Sequence, residues 1–174
     1  HRPCRGGFIG TAFFANTQAA EYIAQKIAPM FTNDNDIEFV IAGNGFEGYA
    51  GKLDKENLKT SGYVESLADF YKHVDVILSP ISTGAGMKVK IAEALKYNKK
   101  VIASPFTLIG YEQALDSNND DIVSCNSLEE YVAAVKKIKG ARLVPSSTRR
   151  LFEQYYSDSA CAEYFKKIFH PSQS

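Results

Sequence analysis

Short apolar runs alternate along this chain with longer stretches in which apolar residues recur at helical spacing. Each run is four to six residues long, rich in Val, Ile or Phe, and bounded by Gly, Pro, Asn or Ser, so each predicts a β-strand. Several runs are apolar at consecutive positions, as expected for parallel strands that are covered on both faces. The predicted strands are Gly7–Gly10, Ile37–Ala42, Leu58–Ser61, Val74–Ser79, Lys100–Ser104 and Asp121–Cys125.

The stretches between these runs predict helices. Asn16–Phe31 has apolar residues at helical spacing, with Asn16 as its N-cap. Ser66–His73 begins with a serine three residues before Asp69, which is close to a capping box. The alternation of strands and helices predicts an α/β fold, a doubly wound parallel sheet with helices on both faces. Further helices are predicted over Gly86–Tyr97, over Leu128–Ile138, and, as one or two C-terminal helices, over Ser147–Phe169.

Glycine is concentrated directly after the predicted strands, where ligands bind in sheets of this kind. Glycine lets backbone amides approach a ligand closely, and a helix N-terminus behind such a turn favours an anion. Glycine at strand–helix turns is also common for structural reasons alone, so any single loop leaves both interpretations open. The positions concerned are Gly10-Thr11, Gly43-Asn44-Gly45, Gly62-Tyr63-Val64, Ser79 to Gly86, and Ser104-Pro105.

The turn after the fourth predicted strand carries the most specific chemistry. Three small residues, Gly84, Ala85 and Gly86, lead into a helix whose first turns contain Lys88 and Lys90. Lysine near a helix N-terminus opposes the helix dipole, and a bound anion would offset that cost. The pattern therefore favours a phosphate-binding turn.

Glu93 shares one stripe of this helix with Gly86 and Lys90. Seven residues separate Glu93 from Gly86, which is roughly 10 Å along a helix axis. A diphosphate at the turn would leave a ribose within reach of the Glu93 carboxylate, which can accept hydrogen bonds from vicinal hydroxyls. The alternative is a surface ion pair between Lys90 and Glu93.

Composition argues against several other classes of protein. Twenty basic and twenty acidic residues give no net charge, unlike a dedicated nucleic-acid binder. The three cysteines are widely spaced and form no CxxC motif, which indicates reduced thiols in a cytosolic setting rather than a disulfide framework or a zinc site. No metal and no cofactor are expected. A signalling receiver domain would need acidic residues where Gly10-Thr11 and Ser79-Pro80 stand.

In their order and spacing, these segments resemble the C-terminal, nucleotide-sugar-binding domain of family 4 glycosyltransferases (glycosyl transferases group 1), which have the GT-B fold. The resemblance runs from about Phe8 to Glu130 and implies one Rossmann-like half of that fold. The segments that carry it are Phe8–Thr11 with Asn16 and Ala20–Phe31 behind it, Ile37–Gly45, Leu58–Pro80 and Thr83–Ser104.

The resemblance implies a donor site for a nucleoside-diphosphate sugar. Backbone amides would cradle the diphosphate, a lysine would add charge, a carboxylate would bind the ribose, and backbone near Tyr63 and Val64 would hold the nucleobase. The implied residues are Gly10, Thr11, Tyr63, Val64, Gly84, Ala85, Gly86, Lys88, Lys90 and Glu93.

Two features depart from the family pattern. Ala85 replaces a glutamate that contacts the donor sugar in many members, and the segment 11–17 lacks the basic residues that many relatives have.

We therefore expect residues 1–174 to form the donor-binding domain of a retaining glycosyltransferase, with the N-terminal acceptor domain outside this chain. The expected acceptor is a glycan or a lipid-linked sugar, and the expected location is the cytoplasm or the inner face of the membrane. Six cations and no acid between Lys136 and Arg150 favour a solvated helix end, with peripheral membrane association as the alternative. A GT-B-fold sugar-nucleotide epimerase and a non-catalytic nucleotide-sugar-binding module are the alternative functions.

Overall fold

Six parallel strands form one sheet, in the order β3-β2-β1-β4-β5-β6. The computed structural model describes residues 2–84, 88–117 and 119–169. The strand order reverses between β1 and β4, and helices lie on both faces, so the predicted doubly wound α/β fold is confirmed. The strands are β1 Cys4–Ile9, β2 Ile37–Ala42, β3 Leu58–Thr60, β4 Val76–Ser79, β5 Lys100–Ala103 and β6 Ile122–Ser124.

Helices connect successive strands, as parallel pairing requires. The α-helices are α1 Phe14–Tyr22, α2 Ala50–Leu53, α3 Leu67–Lys72, α4 Lys88–Lys96, α5 Glu112–Leu115, α6 Leu128–Gly140, α7 Thr148–Leu151 and α8 Asp158–Phe169. Helix α1 is extended by a π-helical segment at Ile23–Ile27 and then a 3₁₀ segment at Ala28–Phe31. A 3₁₀ segment at Phe46–Tyr49 precedes α2. A π-helical segment at Phe152–Tyr156 follows α7. Within the described ranges, no helix has the length and apolar character to cross a membrane.

The buried side chains form two hydrophobic clusters, one on each face of the sheet. The first joins α1 and its extension to α6 over side chains such as Phe8, Phe39 and Ile41. The second joins α3, α4 and α7 over Ile77 and Val101. The alternating directions of side chains along buried strands explain how both faces are apolar.

Strand β1 begins at Cys4, three residues earlier than the predicted start at Gly7. The backbone of Cys4 pairs with that of Ile37, so the ladder also includes Arg5 and Gly6, which carry no apolar signal. Packing favours glycine at position 7, because a Cβ atom there would lie 2.7 Å from the Val74 side chain.

Helix α1 begins differently from the prediction. Its N-cap is Phe13, which makes no side-chain capping bond, whereas Asn16 is buried inside the first turn. The Asn16 amide donates a hydrogen bond of 2.7 Å to the carbonyl oxygen of Thr11, so it fastens the preceding loop instead of capping the helix. The predicted cap of α3 is confirmed, since the backbone amide of Asp69 donates to Ser66 Oγ at 3.2 Å.

The C-terminal region is helical over nearly all of its predicted span. Three consecutive segments replace the predicted one or two helices, and the break falls at Ser157, whose backbone is extended. Tyr155 and Tyr156 pack against the second cluster, and the Tyr156 hydroxyl accepts a hydrogen bond of 3.3 Å from the Ala114 amide. These two aromatic residues therefore contribute to the core of this chain.

Candidate functional site

Backbone hydrogen bonds join the loops that follow β1, β2 and β3. The amide of Gly10 donates to Ala42 at 3.0 Å, and the amide of Gly43 donates to Gly62 at 3.0 Å. These loops therefore form one connected edge of the sheet. This edge lies beside the reversal of strand order, where doubly wound folds bind ligands.

Glycine is required by close packing at two positions of this edge. Gly43 has φ of +137°, and a Cβ atom on it would lie 1.6 Å from the carbonyl oxygen of Gly10. A Cβ atom on Gly10 would itself lie 2.7 Å from the side-chain nitrogen of Asn16. Both glycines thus have a structural reason for being glycine, independent of any ligand.

The loop after β4 meets the N-terminal end of α1, which the loop after β1 leads into. Gly84 has φ of +102°, and a Cβ atom on it would lie 2.9 Å from the Cβ atom of Ala15. Thr11 is exposed at the same edge. The structure therefore brings together three of the predicted donor-binding residues, Gly10, Thr11 and Gly84. Ala85 and Gly86 lie outside the described residues.

Helix α4 carries the predicted lysine and carboxylate on the face of the second cluster. Nζ of Lys90 lies 3.1 Å from Oε2 of Glu93, with 33% and 19% of the respective side chains exposed. The ion pair that was the alternative interpretation is thus present, but it is half-buried. The backbone of Lys88 is the first described residue of α4, and its side chain is outside the described part of the structure.

The Glu93 carboxylate is held by the Lys90 ion pair, without a well-aligned hydrogen bond to Oε2 from the described part of the chain. Its Oε2 atom is buried, and among the described residues no group donates a hydrogen bond to it, although Lys90 is within ion-pair distance. Buried carboxylate oxygens without hydrogen bonds are uncommon, because such oxygens lose their contact with water. A ribose hydroxyl would be a suitable donor for this atom.

Tyr71 lies behind Glu93 and was not identified from the sequence. Its ring stacks on that of Tyr97, with the ring centroids 4.6 Å apart, and its hydroxyl is buried without a hydrogen-bond partner in the described residues. Burial, and then the charge of Glu93, raise the pKa of Tyr71. The phenol is therefore neutral beside the carboxylate. Its sequence signal was that of an ordinary core residue on α3.

The two residues expected near the nucleobase lie in different surroundings. The side chain of Tyr63 is 72% exposed. Val64 is partly buried and lines a groove of about 490 Å³ between the sheet and α3, together with Val40 and Phe70. Val64 is therefore placed beside a cavity that an aromatic base could enter, whereas Tyr63 lies at the surface.

Comparison with known proteins gives one family for this chain. The model for the family described as glycosyl transferases group 1 matches residues 4–139. A curated relative, an "Uncharacterized 44.6 kDa protein in cps region" of Klebsiella pneumoniae, is 26% identical over an alignment of 181 positions, which covers 95% of this chain and 45% of the relative.

Solved structures share the fold at low sequence identity. WaaG, described as a glycosyltransferase involved in lipopolysaccharide biosynthesis, is 15% identical with a TM-score of 0.65, over 97% of this chain and 47% of WaaG. Anabaena HepE, solved in complex with UDP and glucose, is 12% identical with a TM-score of 0.69, over 97% of this chain and 48% of HepE. The chain spans less than half the length of each of these three proteins. The family match covers most of the chain, and we conclude that the chain belongs to the glycosyl transferases group 1 family.

Proposed function

We propose that this chain is the donor-binding domain of a retaining glycosyltransferase that uses a nucleoside-diphosphate sugar. The observation that carries the proposal is that Gly10, after β1, and Gly84, after β4, both pack against the first turn of α1, at Asn16 and Ala15. Backbone amides and a helix N-terminus at one edge suit a diphosphate. HepE, a structural neighbour, was solved with UDP and glucose, which supports this class of ligand.

In the proposed site, three sets of residues bind the diphosphate, the ribose and the nucleobase of the donor. The diphosphate lies at Gly10, Thr11 and the turn that begins at Gly84, and Lys88 or Lys90 balances its charge. Glu93 accepts hydrogen bonds from the ribose hydroxyls through its carboxylate, which Lys90 holds in place from one side. The nucleobase enters the groove beside Val64.

In the proposed reaction, the bond between the sugar and the diphosphate breaks while charge grows on the leaving diphosphate. Amides and a lysine ammonium directed at that charge stabilise the transition state more than the ground state. The proposal assigns this stabilisation to protein groups and includes neither a metal nor a cofactor. The sugar passes to the acceptor with retention of its anomeric configuration.

The acceptor is proposed to be a glycan or a lipid-linked sugar, bound largely by a domain beyond this chain. The description of WaaG, which names lipopolysaccharide biosynthesis, supports an acceptor of this kind. We also propose a cytoplasmic location, which accords with three free cysteines, two of them buried. Because the chain spans less than half of the Klebsiella pneumoniae relative and of WaaG, we propose that it binds donor without transferring sugar by itself.

Glu93→Ala tests the donor assignment. The change removes the carboxylate that would meet the ribose, so the affinity for UDP or GDP should fall roughly tenfold or more, as expected for hydrogen bonds to a charged group. The affinity for inorganic pyrophosphate should stay the same, because pyrophosphate has no ribose. Isothermal titration of both ligands measures the difference. The exposed Glu56→Ala is the matched control.

Equal losses of UDP and pyrophosphate affinity in Glu93→Ala would contradict a contact with the ribose and leave the ion pair with Lys90 as the role of Glu93. Absence of UDP and GDP binding by the unmodified chain would contradict the donor site as a whole.

A further inference from the structure

A second cavity opens at the carboxyl edge of the sheet, on the face covered by α1 and α6. It measures about 620 Å³, and its lining comes from α1, from the loops after β4, β5 and β6, and from the start of α6. We call it the α1–α6 pocket. None of the described donor residues lines it. The volume lies within the range of cavities that hold small organic ligands.

The floor and walls of the α1–α6 pocket are mainly apolar and aromatic. Ile81, Cys125 and Tyr131 are buried at its floor. The Tyr131 ring is held edge-on by Tyr22, with the ring centroids 5.7 Å apart. Phe106 is partly exposed at the mouth. Such a lining accommodates the carbon–hydrogen face of a ring-shaped ligand.

The Tyr131 hydroxyl has no hydrogen-bond partner within the described part of the chain, although the residue is only 3% exposed. A buried hydroxyl that makes no hydrogen bond costs free energy, and proteins generally satisfy such groups. Burial, followed by the effects of Cys125 and Tyr22, raises the pKa of Tyr131, so the group keeps its proton at neutral pH. Tyr131 lines the pocket, so a ligand that packs against it and reaches its hydroxyl would find a neutral group that can donate to a ligand oxygen and accept from a ligand hydroxyl.

The rim of the pocket is polar but carries little free charge. Side-chain amides of Gln18, Gln25 and Asn126 lie there. Of the two charged residues, Glu21 is paired with Lys52 at 2.6 Å, and Lys26 is exposed at the edge. Amides and hydroxyls around an apolar floor suit a ligand that is rich in hydroxyl groups and uncharged. They do not suit a diphosphate, which binds where charge and helix N-termini converge.

A side-chain contact separates this pocket from the proposed donor edge. The Ser82 and Thr83 hydroxyls donate to Oε1 of Gln18 at 3.5 Å and 3.4 Å, and Gly84 packs against Ala15 immediately beyond. The donor edge therefore meets the N-terminal end of α1, and the pocket begins farther along the same helix, beyond these contacts. A ligand in the pocket would be a neighbour of the donor site rather than a part of it.

We propose that the α1–α6 pocket binds a neutral sugar residue of the glycan on which the enzyme acts, so that this chain holds part of the acceptor as well as the donor. The identification of the ligand as acceptor glycan rests on the proposed function. The binding of a neutral sugar rests on the pocket alone.

The experiment is an NMR titration of the isotopically labelled 174-residue chain. The probes are the methyl glycosides of glucose, galactose, mannose and N-acetylglucosamine, each added separately, with UDP in a parallel titration. At least one glycoside should shift the amide signals of Ser82, Phe106 and Asn126, whereas UDP should shift those of Gly10 and Val64. Tyr131→Phe should weaken glycoside binding roughly three- to tenfold, the effect of one neutral hydrogen bond.

Tyr131→Phe removes a hydroxyl that makes no hydrogen bond in the described structure, so the variant should be at least as stable as the unmodified chain. Tyr49→Phe, outside the pocket, is the matched control and should bind the glycoside normally. The proposal is overturned if none of the four glycosides shifts the pocket amides, or if Tyr131→Phe binds as tightly as the unmodified chain. Failure of UDP binding alone would overturn the donor assignment and leave the sugar pocket standing.

Discussion

The backbone of Gly43 approaches that of Gly10 so closely that a Cβ atom at position 43 would lie 1.6 Å from the Gly10 carbonyl oxygen. Gly43 also has φ of +137°, a conformation that is strained for any residue with a side chain. The contact joins the loop after β2 to the loop after β1. The position of Gly10 at the donor edge therefore depends on a glycine in a different loop.

Gly43→Ala should lower the free energy of unfolding by about 3 kcal/mol or more, because backbone strain and steric overlap add. Denaturant unfolding measures the change. Gly51→Ala is the control, since a Cβ atom there has open space and the residue lies within α2. It should stabilise the chain by about 0.5 to 1 kcal/mol. If the two variants have comparable free energies of unfolding, the close contact between Gly43 and Gly10 contributes little to stability.

Lys90→Met tests the electrostatic part of the donor site. Loss of the ammonium should weaken UDP binding roughly ten- to hundredfold at low salt, corresponding to about 1.5–3 kcal/mol for a charge-assisted hydrogen bond. Binding of uridine, which has no phosphate, should be unaffected. Lys96→Met, an exposed change in the last turn of the same helix, is the control.

Lys88 is the second candidate for the phosphate contact, and Lys88→Met belongs in the same series of titrations. One of the two substitutions should reduce UDP affinity selectively. If both variants bind UDP normally at low salt, the lysines have no role in charge neutralisation, and backbone amides alone hold the diphosphate.

An ion pair between Asp34 and Lys139 links the loop before β2 to α6 and gives stability that depends on pH. Hydrogen bonds from Lys139 and then from the Asp36 amide lower the pKa of Asp34 from its usual value of 3.8. A lowered carboxyl pKa adds stability above that usual value, and this stability is lost as pH falls through the folded-state pKa. Asp34→Asn should therefore cost at most about 1 kcal/mol at pH 7, the range for partly exposed pairs, and much less near pH 2.

Urea unfolding of Asp34→Asn at the two pH values measures this dependence. Asp120→Asn is the matched control, because Asp120 pairs with Lys137 of the same helix but is far more exposed. Its effect should be smaller at neutral pH. A cost for Asp34→Asn that is equal at both pH values would show that the charge of Asp34 contributes nothing.

Sugar transfer is the activity that the chain alone should lack. The proposed reaction needs an acceptor held against the donor, and the chain spans less than half of the Klebsiella pneumoniae relative and of WaaG. Incubation with radiolabelled UDP-glucose or UDP-galactose and a glycan extract should therefore give no labelled glycan, even where UDP binding is measurable. Robust sugar transfer by the 174-residue chain would contradict the proposal that transfer also needs an acceptor-binding domain beyond this chain.

The sheet was predictable because its buried strands are continuous apolar runs. All six strands appear where those runs are, and β2 matches the prediction at both ends. The start of β1 was missed because Arg5 and Gly6, which precede the predicted start, carry no apolar signal, and the packing of Gly6 against Phe39 and Leu78 appears only when neighbouring strands are in place. Asn16 was misjudged for a similar reason. Its amide bonds Thr11 from inside the helix, which local sequence does not distinguish from capping.

The candidate sites were predictable in part. Glu93 could be selected because it follows a glycine turn at helical spacing, but the same spacing produces the ion pair with Lys90, so sequence alone supported both interpretations. The α1–α6 pocket had no sequence signal, because five separated segments line it. Tyr131 occupies an ordinary core position of an amphipathic helix, and only the packed structure shows that its hydroxyl lacks a partner in the described residues.

The two outermost strands, β3 and β6, are only three residues long. The exposed edges of a sheet carry peptide groups to which a strand of another molecule can add, and long flat edges promote aggregation. Here each edge offers too few such groups to hold a foreign strand well. The chain therefore limits intermolecular β-pairing by ending its sheet on short strands, while the longer β1 and β2 stay enclosed.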